Sequence, residues 1–311
     1  MSDTTLTFAL GNYGHTTPLK DGSVTSSRFG MEHKEITPVP MIFRRMVRAL
    51  EFDVAEMALA TYLCSRAHGK RFTALPIFLT HDFYHGGILA NKNSDISAPK
   101  DLEGRRVGVR SYTLTPGVWT RSILQHEHGV DLDAVTWVLS GDEHVEEFVE
   151  PSNVESSANS DLADMLISGE VDATIGAGPI DSDDVMPMFP DAPQLDAAWH
   201  KKTGVYPISH LLVVKDDLLD GMDKIAHELY GMFSEAKAPY VERLQSGEAS
   251  GPGDQSFLAR AEIVDGDPIP YGYESARHTL ETFIAHNVEQ GVIPTVVDSE
   301  TLFPADTLKL A

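Results

Sequence analysis

The stretch RRVGVRSYTLTPGVWTRSILQHEHG, residues 105–129, predicts a strand, a hydroxyl-rich turn and a helix in immediate succession. Val107 and Val109 are the buried residues of the predicted strand, and Thr115 and Pro116 lie in the first turn of the helix. Proline suits the first helical position, and the serine and threonine residues before it satisfy free amide groups. Because free N–H groups and the helix dipole point beyond the carboxyl end of the strand, this stretch predicts an anion-binding cradle.

The composition sets limits on size and partners. The chain has 311 residues, of which 42% are hydrophobic, enough for two domains of ~150 residues each. Asp and Glu number 47 against 24 Lys and Arg, a formal net charge of −23. So strong a negative charge argues against a nucleic-acid or anionic-membrane partner, and a highly solvated acidic surface explains it better than a cation-binding role.

Cysteine usage and short motifs narrow the chemistry further. Cys64 is the one cysteine, so the chain forms no internal disulfide and no cysteine zinc site, and we expect a buried structural thiol. The sequence contains no HExxH or CxxC motif, no GxGxxG-type turn and no phosphate-binding GxxxxGK[ST] loop, so no cofactor and no metal are expected, although metal dependence stays an alternative. The N-terminal stretch lacks a basic start, and no segment reaches the ~18 apolar residues of a membrane span, so the expectation is a cytoplasmic protein.

Short apolar runs alternate with helical periodicity along the chain, which predicts an α/β fold. A second α/β unit is inserted into the first: we expect lobe one at residues 1–106 plus 206–311, and lobe two at residues 107–205. Lobe one ends in two amphipathic helices, predicted at 223–244 and 274–291. The acidic stretch 141–161, low in apolar residues, is expected to be mostly an exposed, mobile insertion.

Three segments resemble the type II periplasmic binding protein architecture, in which a ligand lies between two α/β lobes. FDVAEMAL (52–59) and VDATIGAG (171–178) each place an Asp ahead of small residues, and SDISAPKDLEGRRVGV (94–109) is a polar linker that leads into a strand. In such folds strand ends and helix N-termini of both lobes converge on the cleft.

A longer ordered set of segments resembles the 4,5-dihydroxyphthalate decarboxylase family over nearly the whole chain, weakening at 141–160 and 245–266. The segments are LGNYGHTTPLKDG (10–22), FRRM (43–46), FDVAEMALATYL (52–63), PIFLTHDFYHGGI (76–88), PKDLEGRRVGVRSYTLTPGVWTRSILQHEHGV (99–130), TGVYPISHLLVV (203–214) and PYGYESARHTLETFIAHNVEQGV (270–292). The resemblance implies cofactor-independent removal of CO2 from a dihydroxylated aromatic diacid, on a binding-protein fold.

The chain also departs from the family pattern. The family often has Arg where this chain has Gly178, tends to show Arg where Tyr84 stands, and Asn where Ala276 stands. If those cationic side chains hold a carboxylate, the carboxylate is placed differently here. A relative acting on another hydroxylated aromatic acid is therefore also an expectation.

Decarboxylation of an aromatic acid without a cofactor requires a proton donor for the ring and a partner for the phenol. His81, His85 and His210 are the predicted catalytic acids, because imidazole titrates near neutral pH. The first two lie in a loop between predicted strands, and His210 starts the returning strand near the predicted crossover. The alternatives are a surface or capping role for the first two and a core histidine bonded to backbone for His210. Glu56 is expected either to cap a helix or, if the cleft opens there, to orient a histidine or accept the phenolic proton. The sequence leaves open which histidine donates the proton.

The remaining candidates bind the substrate. Tyr13 and His15 follow the first strand, and their alternative is ordinary turn packing. Fork-shaped arginine suits a planar carboxylate, which favours Arg44 and Arg121, although Arg44 can equally lie on a solvated helix face and Arg121 can serve packing. In the cradle, direct contacts with the substrate are expected from Ser111, Tyr112 and Thr115. Gly178 is expected to be a further substrate contact.

The sequence therefore predicts a carboxy-lyase of aromatic compound catabolism, acting on a small aromatic carboxylate. A non-catalytic solute-binding protein on the same fold is the alternative. A biosynthetic enzyme that binds or rearranges a small acid is a third, and assembly into a homo-oligomer is left open.

Overall fold

The strands form two separate sheets. The computed structural model describes residues 4–311 of the chain. The strands in this part are β1 (Thr5–Ala9), β2 (Gly30–His33), β3 (Val54–Ala58), β4 (Phe72–His81), β5 (Ile88–Asn91), β6 (Arg106–Val109), β7 (Thr136–Leu139), β8 (Val154–Ser156), β9 (Ala173–Ile175), β10 (Val185–Pro187) and β11 (Ile208–Lys215).

The helices follow the periodicity of the sequence. They are α1 (Thr17–Lys20), α2 (Pro40–Ala49), α3 (Leu59–Ala67), α4 (Thr115–His128), α5 (Leu162–Ser168), α6 (Ala192–Thr203), α7 (Asp216–Gly221), α8 (Ile225–Ser246), α9 (Pro252–Val264) and α10 (Tyr273–Glu289). The predicted helices at 223–244 and 274–291 are confirmed as α8 and α10, each displaced by at most two residues at either end. Over residues 4–311, no helix combines the length and the apolar character that crossing a membrane requires.

The first sheet has the strand order β2-β1-β3-β11-β4. β1 pairs parallel with β2 and β3, whereas β11 pairs antiparallel with both β3 and β4. All five residues of β3 are buried, because helices cover both faces of this central strand. β11 returns to this sheet after the inserted lobe, and its pairing with β3 places His210 opposite Ala58.

The second sheet has the order β10-β5-β9-β6-β7-β8. β6 pairs parallel with β7 and β9, and β5 pairs antiparallel with β9 and β10. The predicted division at residue 106 assigns residues 88–91 to lobe one, but hydrogen bonds join this strand to lobe two. Strand pairing therefore places the first crossing between lobes at residues 82–87, which connect β4 of the first sheet to β5 of the second.

Two helices that begin directly after buried strands bring the lobes together. α3 follows β3 of the first sheet, and α4 follows β6 of the second after a short turn. The amide of Ala60, in the first turn of α3, donates a 2.9 Å hydrogen bond to the hydroxyl of Thr115, in the first turn of α4. The amino ends of the two helices thus meet at the boundary between the lobes.

The acidic stretch 141–161 is mostly exposed or partly exposed, as its composition predicts, but it is anchored at one point. Glu143, His144 and Val145 are all buried, and β8 extends the second sheet beside β7. The expectation fails only at these residues, because a carboxylate that accepts internal hydrogen bonds has the same sequence signature as a carboxylate in solvent. The single cysteine, in contrast, is buried and unpaired as predicted, and burial raises the pKa of the Cys64 thiol to about 12.

Candidate active site

A buried carboxylate at the centre of the first sheet organises the candidate site. Glu56 lies in the middle of β3, where its side chain has no exposed surface. Its carboxylate accepts hydrogen bonds from the amide of Gly11 at 2.6 Å, from the hydroxyl of Tyr13 at 2.7 Å and from Nδ1 of His210 at 2.6 Å. Of the two predicted roles for Glu56, the geometry matches the orientation of a histidine and not the capping of a helix, since α3 begins three residues later.

The three hydrogen bonds keep this carboxylate ionised despite its burial. Burial raises the pKa of Glu56, but the bond and charge of His210, together with the bonds from Tyr13 and Gly11, outweigh burial and hold that pKa below its ordinary value. Burial and the neighbouring Glu56 charge raise the pKa of Tyr13 well above its ordinary value, so Tyr13 is a neutral phenol that donates.

His210 joins the buried carboxylate to the surface of the cleft. Its side chain is 22% exposed, and among residues 4–311 its Nε2 has no hydrogen-bond partner. The ring of Phe43, on α2, meets the imidazole edge to face at 4.9 Å between centroids. The imidazole is therefore fixed on its Nδ1 side by a carboxylate and on its flank by an aromatic ring, while Nε2 is free for a ligand.

Two further predicted histidines, His15 and His81, lie buried near Tyr13. His15 stacks on the Tyr13 ring at 5.2 Å, and His81, the last residue of β4, stacks on Tyr206 at 4.4 Å. Burial lowers the pKa of His15 to about 4 and that of His81 to about 3. Both rings are neutral near pH 7, because a protonated imidazole in either place would lack water.

His85 is not part of this group. It lies in a short 3₁₀ helix after the crossing, and its Nδ1 is 2.5 Å from the carboxylate of Asp196 on α6. Phe189 and Trp199 cover its ring, and the side chain is 3% exposed. The structure therefore brings Tyr13, Glu56 and His210 together but places His85 against the α6 helix.

A side chain of the protein itself, that of Glu143, occupies the predicted anion cradle. The carboxylate of Glu143 accepts hydrogen bonds from the amide of Tyr112 and from the amide and the hydroxyl of Thr113. Ser111, also buried, lies beside these donors. Burial raises the pKa of Glu143, although these hydrogen bonds oppose that effect, and Glu143 already uses the amide of Tyr112, a residue that was expected to contact a substrate.

Thr115 and Arg121, both fully buried, have internal partners as well. The Thr115 hydroxyl accepts the amide of Ala60 and so connects the lobes. Arg121 donates to the carbonyl of Tyr112 and to the side chain of Gln290, and its guanidinium lies 4.1 Å from the Tyr112 ring centroid. For Arg121 the structure matches the packing alternative.

Arg44 meets a carboxylate of the opposite lobe. Its guanidinium makes two hydrogen bonds to Asp142, and Arg48, one turn along α2, donates to the same carboxylate. Arg45 faces away and pairs with Glu51. Arg44 thus fastens α2 to the loop after β7, and its charge is already neutralised.

The sequence analysis did not identify Arg110 and His144, two residues near the boundary between the lobes. Nη2 of Arg110, at the end of β6, donates to Nε2 of His144 at 2.8 Å, and Nδ1 of His144 is 3.3 Å from the hydroxyl of Thr61 in the first turn of α3. Burial and the Arg110 charge lower the pKa of His144 to about 3. The sequence did contain an indication of Arg110. This cation directly follows the buried run RVGV, and in α/β folds residues at the carboxyl end of a strand reach the ligand cleft.

Arg110 is a half-buried cation without a countercharge in contact. Among the residues that the structure describes, it forms no ion pair with a carboxylate, and its Nε lacks a hydrogen-bond partner. Burial lowers the pKa of Arg110, although the charges of Glu143 and Asp142 oppose this effect. The ring of Phe43 lies 6.0 Å from His144 and 4.9 Å from His210, so one aromatic side chain separates the Arg110–His144 pair from the Glu56–His210 pair.

Tyr84 and Gly178, two positions at which the chain departs from the family pattern, line the same groove. This groove of about 440 Å³ also includes Pro116 of α4 and the backbone at Gly176. A side chain at Gly178 would extend into open space, but its φ of +74° disfavours any residue other than glycine. The Tyr84 hydroxyl is 2.5 Å from that of Ser209, the neighbour of His210, so the groove adjoins the candidate site.

Comparison with proteins of known sequence gives two close relatives, whereas no family model matches. The chain is 28% identical over 334 residues to a 4,5-dihydroxyphthalate decarboxylase of Comamonas testosteroni, covering 99% of both chains. It is 36% identical over 186 residues to a 4,5-dihydroxyphthalate decarboxylase of Pseudomonas putida, covering 57% of this chain and 71% of the relative.

Comparison with solved structures shows the fold. The alkanesulfonate-binding protein SsuA from Xanthomonas axonopodis pv. citri, bound to MOPS, has a TM-score of 0.56 at 12% identity and covers 98% of this chain and 99% of its own. The desulfurization enzyme DSZB has a TM-score of 0.55 at 16% identity, covering 98% and 97%. The chain has the predicted periplasmic-binding-protein-like fold, with α/β lobes built on two sheets.

Proposed function

Because the chain belongs to the 4,5-dihydroxyphthalate decarboxylase family, we propose that it removes CO2 from a hydroxylated aromatic acid, 4,5-dihydroxyphthalate or a close relative. Both relatives carry the name of a decarboxylase, which supports the enzyme class. The substrate, the residue roles and the cofactor-independent mechanism are parts of the proposal.

The chemistry of the substrate explains what the site must supply. In 4,5-dihydroxyphthalate each carboxylate is para to a hydroxyl, which accepts the electrons displaced during the reaction. A proton added to the ring carbon that bears the carboxylate gives a dienone-like intermediate. The bond to CO2 then breaks, its electron pair restores the aromatic ring, and 3,4-dihydroxybenzoate results. Each turnover consumes one proton, so the site needs one positioned acid.

The Glu56–His210 pair is the observation that carries the proposal. A fully buried carboxylate holds Nδ1 of His210 at 2.6 Å, which leaves Nε2 directed away from it and free to protonate the ring. A carboxylate in this position fixes the orientation of the imidazole and places a hydrogen on Nδ1. Among the three candidate histidines, His210 alone combines a carboxylate partner with an exposed edge. His81 is neutral near pH 7, and His85 is closed in by α6.

Neutral side chains around this pair suit the phenol of the substrate. Tyr13 donates to Glu56, and His15 stacks on Tyr13 inside the first lobe. We assign to the Tyr13 ring, with the buried His15 stacked behind it, the wall against which the hydroxylated ring packs, because an aromatic face binds a planar ring without adding charge. Glu56 stays ionised throughout, so the negative charge of the intermediate has to develop away from it.

Arg110 is the proposed partner of a substrate carboxylate. Its half-buried guanidinium has no contacting countercharge in the described part of the chain, whereas Arg44 is already paired with Asp142. A planar carboxylate satisfies two N–H groups of a guanidinium at once. In a protein with a net charge of −23, such a local cation is required to attract an anionic substrate.

Turnover of 4,5-dihydroxyphthalate by the purified protein tests the proposal. CO2 release and formation of 3,4-dihydroxybenzoate are expected without added cofactor, with incorporation of one deuterium when the solvent is D2O. Phthalate, which lacks the hydroxyls, is the control substrate and should not react. Absence of turnover with every hydroxylated benzoate and phthalate tried would overturn the enzyme assignment, and ligand binding without turnover would identify a solute-binding protein instead.

Variants separate the candidate acids. His210→Gln should lower kcat by about 10²–10⁴-fold, the usual contribution of general acid catalysis, while calorimetry shows substrate still bound. His85→Gln is the matched control and should retain activity, because that ring lies against Asp196. Full activity of the His210 variant, or a loss confined to the His85 variant, would show that the proton comes from elsewhere.

A further inference from the structure

A cluster of metal-ligating side chains lies outside the proposed active site. Nε2 of His126, near the end of α4, is 2.8 Å from a carboxylate oxygen of Glu289, and Nδ1 of His286 is 3.3 Å from the same oxygen. The three ligand atoms, one from each residue, all lie within 4.8 Å of one another. His286 and Glu289 are three residues apart on α10, which places them on one face of that helix.

We propose that His126, His286 and Glu289 form a binding site for a divalent transition-metal ion, Zn²⁺ above all. Ligands that surround Zn²⁺ tetrahedrally at about 2.0–2.2 Å are about 3.3–3.6 Å apart, close to the separations in this cluster. Two imidazoles and a carboxylate are donors that suit such ions, and a water molecule completes the fourth position.

The position of the cluster at two helix ends favours a cation. α4 ends at His128 and α10 ends at Glu289, so both helices direct the partial negative charge of their last carbonyl groups toward the cluster.

A metal here would fasten α4 to α10. These helices already pack through Trp119 and Phe283, whose ring centroids are 4.4 Å apart, and His286 touches the edge of the same tryptophan. His126 is eleven residues along α4 from Thr115, or about 16 Å at 1.5 Å per residue. The ion would therefore act on the stability of the helix pair and lie too far away to contact a substrate at His210.

Titration of the full chain with ZnCl2 after EDTA treatment and dialysis tests this site. One saturable ion per chain is expected, with a dissociation constant in the micromolar range or below and a rise in the thermal midpoint that EDTA reverses. Co²⁺ in place of Zn²⁺ should give the visible absorption of a tetrahedral complex. Each of His126→Asn and Glu289→Gln should weaken binding by at least about tenfold, since even outer-sphere partners of metal ligands contribute roughly 10–100-fold.

His278→Asn is the matched control, since it removes another α10 histidine, which contacts only the carbonyl of Thr203 by hydrogen bond in the described chain. Its Zn²⁺ affinity should equal that of the wild type. Circular dichroism of the metal-free variants verifies that each is folded. Absence of saturable binding, or equal affinity in the His126 and Glu289 variants, would overturn the proposal. Zn²⁺ affinity is measured independently of decarboxylation. A negative result for the metal site therefore does not affect the proposed decarboxylase activity, and the reverse also holds.

Discussion

Replacement of Glu56 by Gln separates the chemistry of the proposed site from its packing. The two side chains have nearly the same shape, so the buried space at the centre of β3 stays filled. The carboxylate accepts three hydrogen bonds, from Gly11, Tyr13 and His210, at 2.6–2.7 Å. A glutamine has one acceptor oxygen, so its NH2 group must face either the Gly11 amide, which is a donor, or the His210 ring.

The expected size of the effect follows from these contacts. A hydrogen bond to a charged group contributes about 1.5–3 kcal/mol, and His210 loses such a bond together with the ionised carboxylate that orients its ring. A loss of about 3 kcal/mol in transition-state stabilisation corresponds to a roughly 100-fold lower kcat. The free energy of unfolding should fall by about 1–3 kcal/mol, because one buried donor is left with a poorer partner.

Steady-state kinetics, substrate calorimetry and urea unfolding together decide the outcome. Asp53→Asn is the control: this carboxylate, just before the same strand, accepts two hydrogen bonds from Thr7 and pairs with Lys215, away from His210. It should lose stability but keep kcat within about threefold. If Glu56→Gln retains wild-type kcat, or if both variants lose kcat in proportion to their stability, Glu56 does not act through His210.

Three further outcomes are expected. Arg110→Lys should weaken substrate binding by about 10–100-fold in calorimetry with a smaller effect on kcat, because an ammonium does not match a planar carboxylate, and unchanged affinity would exclude this contact. Thr115→Val should lower the unfolding free energy by about 1–3 kcal/mol in urea, since the Ala60 amide loses its acceptor, and an unaltered midpoint would contradict that role. The free energy of unfolding should fall as the pH is lowered from about 6.5 to 4, because the buried histidines with lowered pKa values bind protons only after unfolding. Each such histidine contributes a slope of about 1.4 kcal/mol per pH unit. His144→Gln should make the measured slope shallower by that amount.

Much of the fold was predictable because it depends on neighbours in the sequence. The strand, turn and helix of residues 105–129 became β6 and α4, with Pro116 in the first helical turn as expected. The apolar spacing of residues 223–244 and 274–291 predicted α8 and α10 nearly to their ends. Periodicity did not show to which lobe a strand belongs. The pattern of residues 88–91 is compatible with either sheet, and only the hydrogen bonds of this strand assign it to the second.

The candidate site was predictable in part. Sequence position placed Tyr13 after the first strand and His210 at the start of the returning strand, where side chains of an α/β fold reach a cleft. Glu56 was expected at a helix start but lies in the middle of β3. Sequence position could not distinguish His210 from His85, since the difference is whether the partner carboxylate belongs to a buried strand beside the cleft or to α6. It also missed Arg110 and His144, whose burial depends on the loop after β7 folding inward.

Local patterns of residues were enough to establish the α/β class, most helices and an anion-binding turn, because helix periodicity, strand burial and capping all act within a few residues. Folding of the whole chain settled which groups meet. Glu56 and His210 are 154 residues apart, and His126 and Glu289 are 163 residues apart, so no spacing rule connects them. The anion-binding turn shows the difference most directly: its donors were visible in the sequence, but Glu143 became their partner because tertiary packing buried that carboxylate beside them.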